Sequence, residues 1–226
     1  MARIWILLLA AFIFVALSSA AVPDERVVSA SKILEQIAAG QPVEYDGYII
    51  EGALDLDRLT NLPTVEKAPF YKEPNDNLSE NKKPIASPIV IINCTIKSRV
   101  NFNNSFFRSR VDLKNTVFEG HAGFRGAVFE DGADLSGSQF SKYADFLGSE
   151  FMEYAYFNGS RFYDYADFEG AYFVYANFSA SFTDIADFKF AHFSSSANFG
   201  NVGFNDTADF RYAKFNDDAN FRDARF

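Results

Sequence analysis

In the run Ala144-Asp145-Phe146-Leu147-Gly148-Ser149-Glu150-Phe151, two phenylalanines stand five residues apart, and the next, Phe157, follows after six. The alternation holds in both directions. Upstream it takes in Phe102, Phe107, Leu113, Phe118, Phe124, Phe129, Leu135 and Phe140. Downstream it continues through Phe162, Phe168 and Phe173. After a slip it resumes as Phe188, Phe193, Phe199, Phe204, Phe210, Phe215, Phe221 and Phe226. A small residue stands two places before most anchors, as at Ala144, Ser149, Ala155 and Ala166. On a strand, residues two apart share a face, so both point inward and the residue between them points out. A helix is excluded, because gaps of five and six carry successive anchors off any 3.6-period stripe. Strands this short gain their hydrogen bonds from coils above and below, as in a solenoid.

The units resemble those of the pentapeptide-repeat family, whose usual form is Ala-(Asp/Asn)-(Leu/Phe)-x-x. Here it stands as Ala144-Asp145-Phe146-Leu147-Gly148, Ala166-Asp167-Phe168-Glu169-Gly170, Ala186-Asp187-Phe188-Lys189-Phe190 and Ala208-Asp209-Phe210-Arg211-Tyr212. The resemblance implies an all-β fold, a right-handed quadrilateral parallel β-helix with the central residue inside. This chain departs from the strict period by alternating five- and six-residue units. An eleven-residue double unit would put an extra residue at two opposite corners, or give a flatter, more oval coil. The core anchors would include Phe146, Phe151, Phe157, Phe162, Phe168, Phe173, Phe188, Phe193, Phe199, Phe204, Phe210 and Phe215. Between Phe168 and Phe188 the coil is two residues short, and Phe190 beside it lies at a corner or faces outward.

The rest of the chain falls into place around this rod. Residues 1–20 read as a signal peptide, with Arg3 before an apolar run from Ile4 to Leu17 and small residues at Ser18 and Ala20. The alternative is an uncleaved membrane anchor, which would be the only membrane contact. Residues 21–41 hold a flexible start, at 22–28, and a short capping helix, with Ser29 or Ser31 at its start and Gly40 beyond its end. Residues 42–62 form the first β-helix faces. Residues 63–84, with Pro63, Pro69, Pro74 and Pro84, are an inserted loop. The rod proper runs from 85 to 226. It ends on the anchor Phe226, which leaves room for a homodimer through the C-terminal coil.

No catalytic constellation is legible. The two histidines, His121 and His192, have no motif around them, and the lone Cys94 occupies a small inward position. No catalytic or metal-ligating residue and no cofactor is assigned, and the protein is expected not to be an enzyme. The candidate contacts lie on the surface. Asp145, Asp167, Asp187 and Asp209 form one outward column, where like charges should raise each other's pKa. Asx hydrogen bonds at the bends are the simpler role for them. Tyr154, Tyr156, Tyr163 and Tyr172 form an aromatic group suited to a protein or a surface glycan. Residues 101–226 carry eighteen acids against eleven bases. The family resemblance therefore admits an acidic rod that imitates DNA, a weaker reading for an exported chain. No nucleic acid is expected as a ligand. The expectation is a secreted or cell-envelope scaffold or interaction module, or alternatively a carbohydrate- or cell-surface-binding protein.

Overall fold

A computed structural model describes residues 26–66, 79 and 81–226. The apolar run at the N-terminus and most of the inserted loop lie outside the described residues. Among the described residues, no helix is long and apolar enough to cross a membrane.

The chain winds as a parallel β-solenoid with four faces, here numbered I to IV in chain order. Face I carries eight strands, among them Val117–Phe118, Gln139–Phe140 and Arg161–Phe162. Face II carries seven, including Ala122–Gly123, Ala144–Asp145, Ala166–Asp167 and Ala186–Asp187. Face III includes Ser105–Phe107, Val128–Phe129 and His192–Phe193, and face IV includes Val111–Asp112, Ala133–Asp134 and Ala197–Asn198. In the regular part a strand pairs with its neighbour twenty-two residues on, as Ala122 with Ala144 and Ala144 with Ala166.

The two kinds of gap make two kinds of corner. In the five-residue gaps the anchor carbonyl accepts from the residue three places on. Examples are Ala127 N–H to Phe124 O (2.9 Å) and Ser149 N–H to Phe146 O (3.0 Å). The residue between them has positive φ: Asn104 (51°), Asn115 (54°), Gly126 (59°) and Gly148 (59°). Positive φ at the third position alone is the mark of a type II turn, and it explains why Gly and Asn fill these sites. Two late coils break that preference, with Phe190 at φ 58° and Tyr212 at φ 62°. A bulky side chain in this region is strained. Their rings stack on each other at 5.0 Å, which offsets part of that strain.

The core is a set of phenylalanine columns. Phe118, Phe140, Phe162 and Phe182 stack at 4.6–4.8 Å with planes within 6°. Phe124, Phe146, Phe168 and Phe188 form a second column at 4.8–4.9 Å. Adjacent columns meet edge to face, as Phe146 with Phe157 at 5.3 Å and 87°. This suits the ring quadrupole, and each small partner leaves room for a ring beside it. Phe146 through Phe199 in the anchor series are fully buried, and Phe204 nearly so. Phe210 and Phe215 are only partly buried.

At the slip, two corners each lose a residue. Between Phe178 and Phe182 the type II turn contracts, and Ala180 N–H donates to Phe178 O at 2.6 Å, a γ-turn. Between Phe173 and Phe178 the six-residue corner becomes five, which appears as a register shift opposite Phe151 and Tyr154. There the corner straightens. Glu150–Tyr156 and Tyr172–Asn177 are continuous strands that join faces III and IV into one sheet.

The N-terminal part differs from expectation in one respect. The segment read as a flexible start includes a strand, Arg26–Ser29, paired in parallel with Tyr48–Glu51 and burying Val28. Its alternation is too short to read by itself; partnership with the next coil creates it. Ser29 then caps the helix Ala30–Ala38, its hydroxyl accepting from Lys32 N–H at 3.3 Å. Ala30, Ile33, Leu34 and Ile37 enter the common core, and the helix packs against strands of faces I, II and IV of the first coil. It thereby covers apolar ends that would otherwise face water. The insertion leaves between faces II and III. Its stem is an antiparallel ribbon, Val65 opposite Lys82 and Glu66 opposite Asn81, and Lys83 to Ile85 already stack under Ser105 to Phe107. Cys94 is buried, its thiol near Tyr45 O and Tyr48 N–H.

Candidate functional site

The outward columns of faces II and IV begin from the same local chemistry. Each Asp or Asn after the small residue accepts the backbone N–H two places on. On face II, Leu147 N–H donates to Asp145 Oδ1 (3.1 Å) and Glu169 N–H to Asp167 Oδ1 (2.9 Å). On face IV, Ser136 N–H donates to Asp134 Oδ1 (3.0 Å) and Gly200 N–H to Asn198 Oδ1 (3.0 Å). These are Asx turns that satisfy the bend.

The columns then diverge. On face II, His121, Tyr143 and Tyr165 stack in line at 5.0 and 5.4 Å. Each tyrosine reaches one coil onward: Tyr143 O–H donates to Asp167 Oδ2 (3.1 Å) and Tyr165 O–H to Asp187 Oδ2 (3.2 Å). Asp145, Asp167 and Asp187 are consequently buried, not presented to solvent. Burial pushes the Asp167 carboxyl up to about 6, with the neighbouring Asp145 and Asp187 charges adding to the effect. Burial likewise raises Asp145 and the phenols of Tyr143 and Tyr165. Asp209, farther along, is held by Arg211 (2.6 and 2.9 Å), which lowers its pKa. Lys189 bridges Glu169 and Asp187 at 2.9 and 3.0 Å.

On face IV the rings stand clear. Tyr156 is 40% exposed and Tyr175 50%. Tyr154 and Tyr156 stack at 4.7 Å, and Tyr154 lies in register with Tyr175. The straightened corner places them, and Gly132 in the preceding coil admits them. A Cβ on Gly132 would fall 2.7 Å from Tyr154 O and 3.0 Å from its ring. C-terminal to this ledge the outward side chains shorten to Ser196, Asn177, Asn198 and Asn220. They floor a groove of about 420 Å³ bounded by Tyr156 and Tyr175. Asn198 Nδ2 donates to Asn177 Oδ1 and to Ser179 Oγ (3.2 Å each), and Asn220 Nδ2 donates to Asn198 Oδ1 (2.9 Å).

The four tyrosines grouped from sequence do not share one surface. Tyr163 is exposed but lies at the opposite corner, between faces I and II. Tyr172 is half-buried on face III, edge-on to His192 at 5.3 Å. Tyr175 takes their place beside Tyr154 and Tyr156. Its signal was the one-residue contraction of the corner, which realigns Tyr175 with Tyr154. A larger depression of about 730 Å³ lies over Ser181, Gly203 and Arg225 on face I, but it carries no aromatic ring. Among the described residues, no group of three or more His, Cys, Asp or Glu side chains is placed to hold a metal ion.

Four faces of two-residue parallel strands around a ladder of phenylalanines make this chain a β-solenoid of the pentapeptide-repeat type. A family model described as pentapeptide repeats (9 copies) matches residues 124–171 and 173–225. Comparisons with curated proteins and with solved structures found no match.

Proposed function

We propose that the protein is a non-enzymatic interaction module outside the cytoplasm, exported by its N-terminal segment, that engages a partner through face IV. The partner is a protein or a surface glycan. The observation that carries this reading is the exposed ledge of Tyr156 and Tyr175 at the edge of a groove floored by amide and hydroxyl side chains. Aromatic rings held rigidly at a surface are common binding anchors. The eleven-residue double unit serves this role: its longer corners can lose a residue and straighten without disturbing the phenylalanine core. The acidic-mimic reading has less support, because Asp145, Asp167 and Asp187 are buried.

The test is affinity capture from cell-envelope extracts with the purified protein and two variants. Tyr156→Ser with Tyr175→Ser should lose the captured material, and Tyr163→Ser, at the opposite corner, should retain it. Identical capture by all three forms would remove face IV as the interaction surface.

A further inference from the structure

We propose that the face IV groove binds a neutral, hydroxyl-rich polysaccharide lying along the rod axis. This rests on the reading of face IV as the interaction face and names its ligand class. Pyranose rings present flat C–H faces that pack on aromatic rings, and Tyr156 and Tyr175 offer such rings at one end of the groove. Tyr154 backs Tyr156 by stacking, so little ordering remains to be done on binding. The volume of about 420 Å³ lies in the range that holds a small ligand or a short stretch of chain.

Asn198 is saturated: both N–H groups and both lone pairs of its amide are used within the ladder. Asn177 accepts twice, from Ser179 N–H and Asn198, and its own NH₂ donates to no group among the described residues. Asn220 uses one N–H and accepts from Arg222 N–H, which leaves one further donor and one lone pair. The ladder therefore fixes the orientation of two amides and leaves donors and an acceptor open at the groove. Hydroxyl groups, which both donate and accept, match this mixture. The amides repeat at the spacing of stacked strands, about 4.8 Å, comparable with one sugar unit of an extended chain.

The lining includes Asp218 and no cation, which disfavours nucleic acid and acidic glycans. Amides interrupt the rings, so there is no continuous apolar strip for an amphipathic helix.

The experiment is affinity electrophoresis of the purified protein through gels containing soluble β-glucan, mannan or starch, with alginate as the acidic control. At least one neutral polymer should retard the protein, and alginate should not. Tyr156→Ala, Tyr175→Ala and Asn177→Ala should each weaken that retardation by about tenfold or more, roughly 1.4 kcal/mol. Tyr163→Ala should leave it unchanged. Circular dichroism melts confirm that each variant is folded. No retardation by any neutral polymer, retardation by alginate alone, or retardation indifferent to the three groove variants would each overturn the proposal. Loss of a captured protein partner in the Tyr156/Tyr175 variant, without polysaccharide binding, would preserve face IV as the interaction face and reject only the sugar.

Discussion

Faces II and IV carry the same unit and put it to opposite use. On both, a small inward residue is followed by an outward Asp, Asn or Tyr, and tyrosines stand just before the small residue. On face II Tyr143 and Tyr165 lean one coil onward and close over carboxylates. On face IV the neighbouring outward position is itself tyrosine at 156, and the corner has been pulled straight, so Tyr156 and Tyr175 project. A repeat column is therefore not one environment. Its role depends on what occupies the next coil, twenty-two residues away, and on how many residues turn the corner.

The comparison supposes that both faces rest on one shared core. Phe168→Ala, under face II, and Phe157→Ala, under face IV, should each cost about 3–5 kcal/mol. Both rings are fully buried and touch each other edge to face at 5.4 Å. The exposed Lys142→Ala should cost well under 1 kcal/mol. Denaturant melts would decide. A cheap Phe157→Ala beside a costly Phe168→Ala would mean that face IV is loosely attached and that its groove is not preformed.

A difference in protonation should follow from the raised carboxyls of face II. Asp167 titrates at about 6 when folded, above its ordinary 3.8. The native state then holds a proton between those values that the unfolded chain has lost, so stability falls as pH rises through that window. Lowering pH from 7 to about 4.5 should raise stability by about 2 kcal/mol from Asp167, and Asp145, also raised by burial, acts in the same sense. Asp57 and Asp209, held low by Lys83 and Arg211, oppose this only below the ordinary carboxylate range. Thermal melts across this range, with Asp167→Asn as control, give the measurement. A wild-type profile that is flat or falls on acidification, or one that Asp167→Asn leaves unaltered, would contradict a closed face II.

Much of the fold was legible because its determinants are local and periodic. Phe146, Phe151 and Phe157 declare their spacing within twelve residues, and Ser29 and Gly40 bracket the helix by their own chemistry. The missing residues between Phe168 and Phe188 were also visible, but not where they would act: one tightens a turn and the other straightens a corner. The site was less legible. Parity along a strand correctly turns Asp167 away from the core, but it says nothing of Tyr143 reaching across from the coil before. The same limit misplaced Tyr163, which is near Tyr154 in sequence and on the far side of the rod in space. Gly132, whose absent Cβ makes room for Tyr154, had a visible cue only as a glycine outside the regular type II positions.

The smallest expected effect tests the tyrosines directly. Tyr143→Phe keeps the ring stack with His121 and Tyr165 and removes only the O–H donated to Asp167. At pH 7 Asp167 is mostly ionised, so the lost bond is charge-assisted and its removal should cost about 1–2 kcal/mol. The same change at Tyr156, whose ring is exposed, should cost a few tenths at most. The contrast also has a pH signature. The Tyr143 hydroxyl favours ionised Asp167, so its removal should move the Asp167 titration upward, further above 6. The penalty of Tyr143→Phe should consequently shrink on acidification, while that of Tyr156→Phe stays constant. Equal and pH-independent effects at the two sites would mean that the tyrosines of face II are surface residues like those of face IV, and that the division between a closed face and an open one does not hold.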